Sequence, residues 1–445
     1  PPSTGASASA SAGAAVTPAA RLSDPSPSLA WRGLEATNSS LNSLATSADA
    51  DLPLVSHIWT ADPAGHVFDG TLWVYTSHDE DERPRGAAEG ADQFNMRDYR
   101  AFSFAHPKSR GRDEGVLLSL QDIPWASRQL WAPDVTRDAH GVYHLFFPAK
   151  DDEGRFRIGH AQAEQPQGPF VPDAKPLAGS LSIDPAVFVD DDEGKQPHQA
   201  FLLFGGLWGG QLEYLRGEMD AEHAPLHPTR CALAPLMAPL ASDMRSLVVP
   251  PRLVVMRNPE DGSCIREAQT DRRFFEGAWV HKRKGVYYLS YSTGDTHLVA
   301  YATAAAPYGP YTYQGVLLRP VLGWTTHHSI VQWGDQWWLL HHDASLSNGD
   351  TYRRCIKAAR LFYQYDAATN RTEISRTEIA PVVHGPAKTA PRTAKTAPRA
   401  ARMARAAEEA APAADEAEAG QEGAAAAEEE EKEGAAAEEE ERKEA

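Results

Sequence analysis

The amino-acid sequence predicts an all-β fold with the architecture of a five-bladed β-propeller. Within the chain of 445 residues, one unit recurs five times: a polar head residue, a short strand, a tight turn and an aromatic strand. Self-similarity at a spacing of tens of residues is typical of repeat architectures. The five aromatic strands contain Trp73, Tyr143, Phe201, Tyr287 and Trp337. Five units of this kind predict five blades around one axis.

The clearest unit is Ser182–Gly194, with the sequence SIDPAVFVDDDEG. The proline that follows Asp184 predicts an extended backbone at that aspartate, and the apolar, β-branched residues after it predict a strand. The acidic run and the glycine at its end favour a turn, so Gln199–Gly205 is predicted to return as the partner strand. The unit is therefore a hairpin with a carboxylate at its inner end.

The head residues of the five units are polar or charged. In a propeller the innermost strands converge on the central axis, so we expect these residues to meet at one end of the channel. They are Asp62, Asp134, Asp184, Glu276 and His327.

The segments between the units complete the blades. Phe94–Phe104 alternates like a further strand of the first blade, and residues 217–250 are loop-like. Paired glycines beside Trp208, within Phe204–Leu215, indicate close backbone approach near a pocket. The last alternating stretch, Thr351–Asp366, is predicted to close the ring by pairing with the first blade.

The two ends of the chain have compositions that do not form a packed core. Residues 1–50 are rich in Ala, Ser and Pro and are predicted to be disordered, residues 51–385 form the propeller, and residues 386–445 are a low-complexity tail. Residues 401–445 carry 16 acids and 5 bases, a net charge of −11, so most of the net charge of −18 lies in these last residues of the tail. This acidic balance argues against nucleic acid as a partner, and no apolar run is long enough to span a membrane.

The cysteines and histidines do not favour a metal centre. Three cysteines, Cys231, Cys264 and Cys355, lie far apart outside any CxxC pattern, so one disulfide is compatible with the sequence and none is required. The doublets at 327–328 and 341–342 lack the HExxH spacing of a catalytic zinc site and lie on predicted strands, where neighbouring side chains point to opposite faces.

Several carboxylates around one polar cavity can provide the pair of carboxyl groups that cleaves glycosidic bonds. Like charges raise one another's pKa, and a carboxyl group that stays protonated near neutral pH is a general acid. A second, ionised carboxylate in a cleft walled by tryptophan completes the pair that glycosidases use.

The motifs that carry this chemistry resemble those of the glycoside hydrolases of family 43. TADP, WAPD, SIDPAVFVDDDEG, FEGAWVHKRKGVYYLSYS and HHSIV occur in the order typical of that family, and the resemblance covers residues 52–380. It implies a five-bladed propeller that inverts the anomeric configuration as a β-xylosidase or α-L-arabinofuranosidase on oligo- or polysaccharides. It also implies that Asp62 is the general base, Glu276 the general acid and Asp184 the residue that tunes and orients the acid.

Further residues are expected around the sugar. The resemblance implies sugar contacts for Trp131 and Arg354, while the positions of Asp134 and Trp208 make them further candidates for substrate binding. The family requires no cofactor for its chemistry, and the resemblance implies a central water or a structural calcium ion near His327.

Two alternatives use the same architecture. A propeller can bind glycans or proteins through its funnel without catalysis, since fold does not imply function. A retaining hydrolase of the fructan type shares the five-bladed plan but uses one carboxylate as a nucleophile. The spacing of the carboxyl groups and turnover of aryl glycosides separate these possibilities.

We predict that residues 1–50 and 386–445 are dispensable for folding, because neither end carries a periodic apolar face that could dock on the propeller. A chain trimmed to residues 51–385 should melt at the same temperature as the full chain and keep its activity. Limited proteolysis followed by thermal melting measures this, and unfolding of the trimmed chain would contradict the predicted boundaries.

Overall fold

Five sheets, antiparallel apart from one short outer strand, make up the described part of a computed structural model of the protein. The structure describes residues 52–80, 94–191, 199–219, 226–294, 296–366 and 371–375. These residues all belong to the compact unit Pro1–Pro381, whereas the second unit, Val382–Ala445, lies outside them, as do the predicted disordered segment 1–50 and the tail 386–445. None of the described helices has the length and apolar character needed to cross a membrane.

Each sheet is one blade, and its strands run in chain order from the inside to the outside. The strands of the first two blades are β1 (Thr60–Phe68), β2 (Thr71–His78), β3 (Asp98–Phe104), β4 (Arg112–Ser119), β5 (Asp134–Arg137), β6 (Tyr143–Lys150), β7 (Phe156–Ala163) and β8 (Val171–Pro172). The third blade contains β9 (Ala186–Asp190), β10 (Gln199–Phe204), β11 (Leu236–Pro239) and β12 (Arg252–Leu253).

The fourth blade has an additional outer strand, because β13 (Met256–Arg257) pairs in parallel with the last strand of that sheet. The other strands of the fourth and fifth blades are β14 (Phe274–Arg283), β15 (Val286–Thr293), β16 (Val299–Ala304), β17 (Tyr311–Leu318), β18 (His328–Trp333), β19 (Gln336–Asp343), β20 (Cys355–Asp366) and β21 (Arg371–Ser375). Short 3₁₀ helices span Leu120–Asp122, Trp208–Gly210, Leu212–Arg216 and Ser345–Ser347.

The inner strands form a closed ring. β1 contacts β5, β5 contacts β9, β9 contacts β14, β14 contacts β18, and β18 contacts β1. Apolar side chains of the five sheets pack between neighbouring blades in buried clusters, among them Tyr75, Phe146, Phe204 and Tyr291. The prediction of an all-β, five-bladed propeller is confirmed.

The predicted hairpins are confirmed in all five blades. Every one of the five aromatic strands is the second strand of its sheet and pairs with the inner strand that precedes it. At the first hairpin, Asp69 and Gly70 have φ angles of 50° and 78°, which is the pattern of a type I′ turn. The strand predicted within Phe94–Phe104 is β3.

Two predictions about the outer strands are wrong. The stretch 217–250 contains a strand, β11, whose four residues end in a proline and carry too short a pattern to predict. The stretch Thr351–Asp366 contributes β20, which pairs with β19 and β21 inside the fifth blade rather than with the first blade. A bridge between Pro53 and Lys357 and two backbone hydrogen bonds join it to the residues around the start of β1 without a strand pairing.

Because neighbouring strands of a blade run in opposite directions, successive connections lie alternately at the two ends of the propeller. The chain enters each inner strand, and crosses from each second strand to the third, at the same end of the propeller. The segment 205–235 is the crossing of the third blade, and it includes Cys231, which forms a disulfide with Cys264 across 33 residues of sequence. Cys355 is buried and not part of a disulfide.

We predict that replacing both Cys231 and Cys264 by serine lowers the free energy of unfolding by about 2–4 kcal/mol, because the crosslink restricts the unfolded chain. Urea unfolding of the double variant, compared with the wild type under non-reducing conditions, measures this. An unchanged unfolding midpoint would show that the crosslink does not contribute to stability.

Candidate active site

A cavity lies at the end of the channel where the chain enters the inner strands. Its walls come from the first residues of inner strands, from the segments that lead into these strands, and from crossings between second and third strands. Of the eight residues predicted for the site, seven line this cavity: Asp62, Trp131, Asp184, Trp208, Glu276, His327 and Arg354. Five blades therefore contribute to one small site.

The two aspartates of the cavity, each of which precedes a proline, adopt a backbone conformation that the sequence did not predict. The φ angles of Asp62 and Asp184 are 53° and 56°, in the left-handed region, so the predicted extended backbone at Asp184 is wrong. Proline disfavours the right-handed helical conformation of the preceding residue, and aspartate tolerates the left-handed one better than most residues. Such conformations cost about 1–3 kcal/mol and persist only where surrounding contacts hold them.

Asp62 is held by contacts that favour its ionised form. Its backbone N–H donates to Nδ1 of His342 (3.0 Å), and the Ser77 hydroxyl donates to its Oδ2 (2.5 Å). Nη1 of Arg354 lies 3.3 Å from Oδ1. Burial alone would raise the pKa of Asp62, but the neighbouring Arg354 and His342 outweigh burial and hold it well below its usual range.

Arg354 is a buried cation that joins the fifth blade to the first. Its guanidinium donates to both carboxylate oxygens of Asp79 (2.9 and 2.8 Å) and to Oγ1 of Thr325 (3.1 Å). Its side chain is 4% exposed, and the guanidinium lies over the ring of Phe94. The fork geometry and the burial of the guanidinium make this a strong, well-oriented ion pair.

Glu276 faces the same cavity in the opposite protonation state. The register of β14 against β15 shifts on both sides of Glu276, and irregularities of this kind re-aim side chains next to active sites. Burial, and then the negative charge of Asp62, raise the pKa of Glu276 to about 8, with Arg354 acting in the other direction. Glu276 therefore keeps its proton at neutral pH.

Asp184 supports the backbone next to Glu276. Its Oδ2 accepts a hydrogen bond from the N–H of Gly277 (2.9 Å) and lies 3.7 Å from Nδ1 of His327. Gly277 has a φ of 65°, and a Cβ there would lie 3.3 Å from Nδ1 of His327. Burial raises the pKa of Asp184 to about 8; His327 opposes that rise, while Glu276 and Asp62 add to it.

Aromatic side chains wall the cavity above the carboxyl groups. Nε1 of Trp131 donates to the carbonyl oxygen of Phe94 (2.7 Å), which fixes the indole in the wall. The Trp208 ring lies edge-on to Phe275, with centroids 5.1 Å apart, and Trp324 stacks near Phe94. Such apolar walls with a few convergent polar groups are typical of small-molecule sites.

Asp134 does not lie with the other predicted residues, and the prediction that it contacts substrate is not supported. It is fully buried, and its Oδ1 lies 2.6 Å from Nε2 of His66. Its Oδ2 accepts from the N–H of Val187 (2.6 Å). The carboxylate is thus satisfied between the inner strands of three blades, and the residues of the second blade that reach the cavity are Trp131 and Ala132.

Sequence reasoning missed the residues that support Asp62 and Arg354. The histidine doublet at 341–342 suggests only a metal ligand at His342, and no catalytic motif contains Ser77, Asp79 or Thr325. The sequence does contain a signal for Asp79 and His342. A histidine followed by an aspartate stands at the end of the second strand in both the first and the fifth unit, at 78–79 and 342–343. No local pattern marks the pairing of Asp79 with Arg354 across 275 residues.

The residues around His327 do not form a protein cage for calcium. Among the described residues, no group of three or more His, Cys, Asp or Glu side chains is arranged to hold a metal ion. Ca²⁺ takes six to eight oxygen ligands, whereas His327 offers one imidazole nitrogen beside a single carboxylate that is protonated near neutral pH. An ion at this position would depend on water for most of its ligands.

Comparison with known proteins gives one consistent family. The family model of the glycosyl hydrolases family 43 matches residues 112–367. The chain is 50% identical over 324 residues to a xylosidase/arabinosidase 43A of Humicola insolens, covering 71% of this chain and 97% of that protein. It is 44% identical over 313 residues to a β-xylosidase of Xylanibacter ruminicola, covering 69% and 94%.

Solved structures with similar sequences share the fold. A β-xylosidase/α-arabinofuranosidase from a compost microbial metagenome, in complex with xylotriose and in a calcium-free form, is 47% identical with a TM-score of 0.66, covering 74% of this chain and 98% of that one. A GH43_1 enzyme from Xanthomonas citri complexed with xylose is 46% identical with a TM-score of 0.67, covering 77% and 99%.

We predict that Asp184→Asn lowers the pKa of Glu276 below about 8, because the repulsion by which Glu276 raises the pKa of Asp184 acts on both groups. A general acid works only while protonated, so activity is lost as the pH rises through the pKa of Glu276. The alkaline limb of the kcat/KM profile should therefore move to lower pH. Asp191→Asn, at the exposed end of the same hairpin strand, is the control, and an alkaline limb that stays in place would rule out this coupling.

Proposed function

Because the chain belongs to the glycosyl hydrolases of family 43, we propose that it cleaves glycosidic bonds of xylose- or arabinose-containing glycosides, as a β-xylosidase, an α-L-arabinofuranosidase or both. The observation that carries the proposal is the opposed protonation of two carboxyl groups in one cavity. Asp62 is ionised and Glu276 is protonated at neutral pH. An acid and a base set apart in this way are what hydrolysis of a glycoside requires.

In the proposed reaction, Glu276 gives its proton to the glycosidic oxygen as the bond to the anomeric carbon breaks. Asp62 accepts a proton from a water molecule that attacks the same carbon from the opposite face. Glu276 ends ionised, Asp62 ends protonated, and the configuration at the anomeric carbon is inverted. Asp62 belongs to the first blade and Glu276 to the fourth, so we expect a gap of about 6.5–9.5 Å between the carboxyl groups, which leaves room for that water.

The other polar residues are assigned supporting roles. Arg354 keeps Asp62 ionised and presents its guanidinium at the cavity wall, where hydroxyl groups of a sugar would accept hydrogen bonds. Asp184 fixes the peptide after Glu276 by accepting a hydrogen bond from the Gly277 N–H. Trp131 and Trp208 supply the apolar faces against which a pentose ring packs.

The proposal is tested with 4-nitrophenyl β-D-xylopyranoside and 4-nitrophenyl α-L-arabinofuranoside. Release of nitrophenol by the wild type, and its loss in Asp62→Asn, supports hydrolysis at this site. Glycan binding without turnover would favour a non-catalytic propeller. Proton NMR of the first-formed sugar, recorded before mutarotation, should show the anomer opposite to the substrate; a retained anomer would make Asp62 a nucleophile and favour the retaining alternative.

We predict that Glu276→Gln reduces kcat by roughly 10²–10⁴-fold on xylo-oligosaccharides and by much less on 4-nitrophenyl glycosides, because a proton from the acid matters most when the leaving oxygen is strongly basic. Glu153→Gln, which changes an exposed glutamate, is the matched control. Equal losses on both kinds of substrate would remove Glu276 from the role of general acid.

Calcium near His327 remains a prediction with its own measurement. If an ion binds there, adding Ca²⁺ to protein dialysed against EDTA should raise the melting temperature of the wild type, since a ligand that binds only the folded state stabilises it. His327→Ala should abolish that rise. An identical response of both proteins would place any bound calcium elsewhere.

A further inference from the structure

Trp208 is held in the cavity wall by a strained and closely packed segment. Its φ angle is 53°, in a region that tryptophan rarely adopts. The glycines on both sides leave no space: a Cβ on Gly206 or Gly210 would lie 2.5 or 2.8 Å from Cδ1 of Ile183, the residue before Asp184. The backbone around Trp208 therefore packs directly against the strand head that carries a site carboxylate.

A buried carboxylate maintains this conformation. Glu213, on the 3₁₀ helix Leu212–Arg216, is 7% exposed, and its two side-chain oxygens lie 2.8 and 3.0 Å from the backbone nitrogen of Trp208. A hydrogen bond to a charged acceptor is roughly twice as strong as a neutral one, and an N–H left unpaired in a buried place is costly. Glu213 itself does not line the cavity.

The same segment is attached to the strand that carries Glu276. The N–H of Leu207 donates to the carbonyl oxygen of Phe275 (2.9 Å), and the Trp208 ring lies edge-on to the ring of Phe275. Phe275 directly precedes Glu276. A change in the backbone at Trp208 would thus move two parts of the cavity wall: the indole of Trp208 and the ring of Phe275, the neighbour of Glu276.

We propose that Glu213 is a positioning residue that fixes the Trp208 side chain in the cavity wall and thereby sets the affinity of the site for its sugar. The inference rests on the proposed function, because it needs a sugar that packs against Trp208. Its effect passes through the hydrogen bond to the Trp208 N–H, so the reach of the side chain matters more than its charge. If Glu213 served only the electrostatics of the core, its charge rather than its reach would decide the effect of a substitution.

Two matched variants test this separation on 4-nitrophenyl β-D-xylopyranoside and 4-nitrophenyl α-L-arabinofuranoside. Glu213→Asp keeps the charge but withdraws the carboxylate by one methylene, so KM should rise about tenfold, the equivalent of one charge-assisted hydrogen bond, while the pH limbs of kcat/KM stay in place. Glu213→Gln keeps the length and an acceptor oxygen, so KM should stay within about threefold of the wild type. Tyr214→Phe, on the same 3₁₀ helix, is the control.

A double variant identifies the route of the effect. Trp208→Ala should raise KM by itself, and adding Glu213→Asp should then change KM no further, because residues that act through one another are not additive. Additive effects, or a Glu213→Gln variant as impaired as Glu213→Asp, would overturn the inference. A wild type that hydrolyses neither substrate would instead refute the proposed function, and melting temperatures identify any variant whose loss reflects unfolding.

Discussion

The buried guanidinium of Arg354 is the interaction on which both the ring and the site depend. It precedes β20 in the last blade, and it pairs with Asp79 at the end of β2 and with Asp62 at the start of β1. A buried cation without partners would be costly, so the first and last blades must meet in one arrangement to satisfy it. The contact that closes the propeller is therefore also the contact that assigns a charge to Asp62.

The position of Arg354 gives Asp62 a protonation state that differs from those of Asp184 and Glu276. Asp62, Asp184 and Glu276 are all shielded from water, which raises the pKa of each. Only Asp62 lies within reach of a permanent positive charge strong enough to reverse the effect. Once Asp62 is ionised, its negative charge makes ionisation of Glu276 harder. Arg354 thus keeps Asp62 ionised, whereas burial, reinforced by the charge of Asp62, keeps Glu276 protonated.

The sequence predicted the repeated features of the fold but not the contacts between segments that are far apart in the chain. The five hairpins, and the meeting of Asp62, Asp184, Glu276 and His327 at one cavity, followed from a recurring local pattern, because strand heads of a propeller converge by symmetry. Asp134 departs from that symmetry, since the second blade begins its strand at that residue and the carboxylate pairs with His66 of another blade. The partnership of Asp79 with Arg354 and the left-handed backbone of Asp62 arise only in the folded ring, so no local pattern announces them.

The crossings from second to third strands differ greatly in length from blade to blade, from the five residues 151–155 to the long segment 205–235. The carboxyl groups belong to the ring, whereas the wall formed by Trp208 belongs to that long crossing. Such a division gives evolution an adjustable wall on a fixed frame: a change in this surface excursion reshapes the cavity around the carboxyl groups, and the changes nearest Trp208 also reach the ring through Ile183 and Phe275.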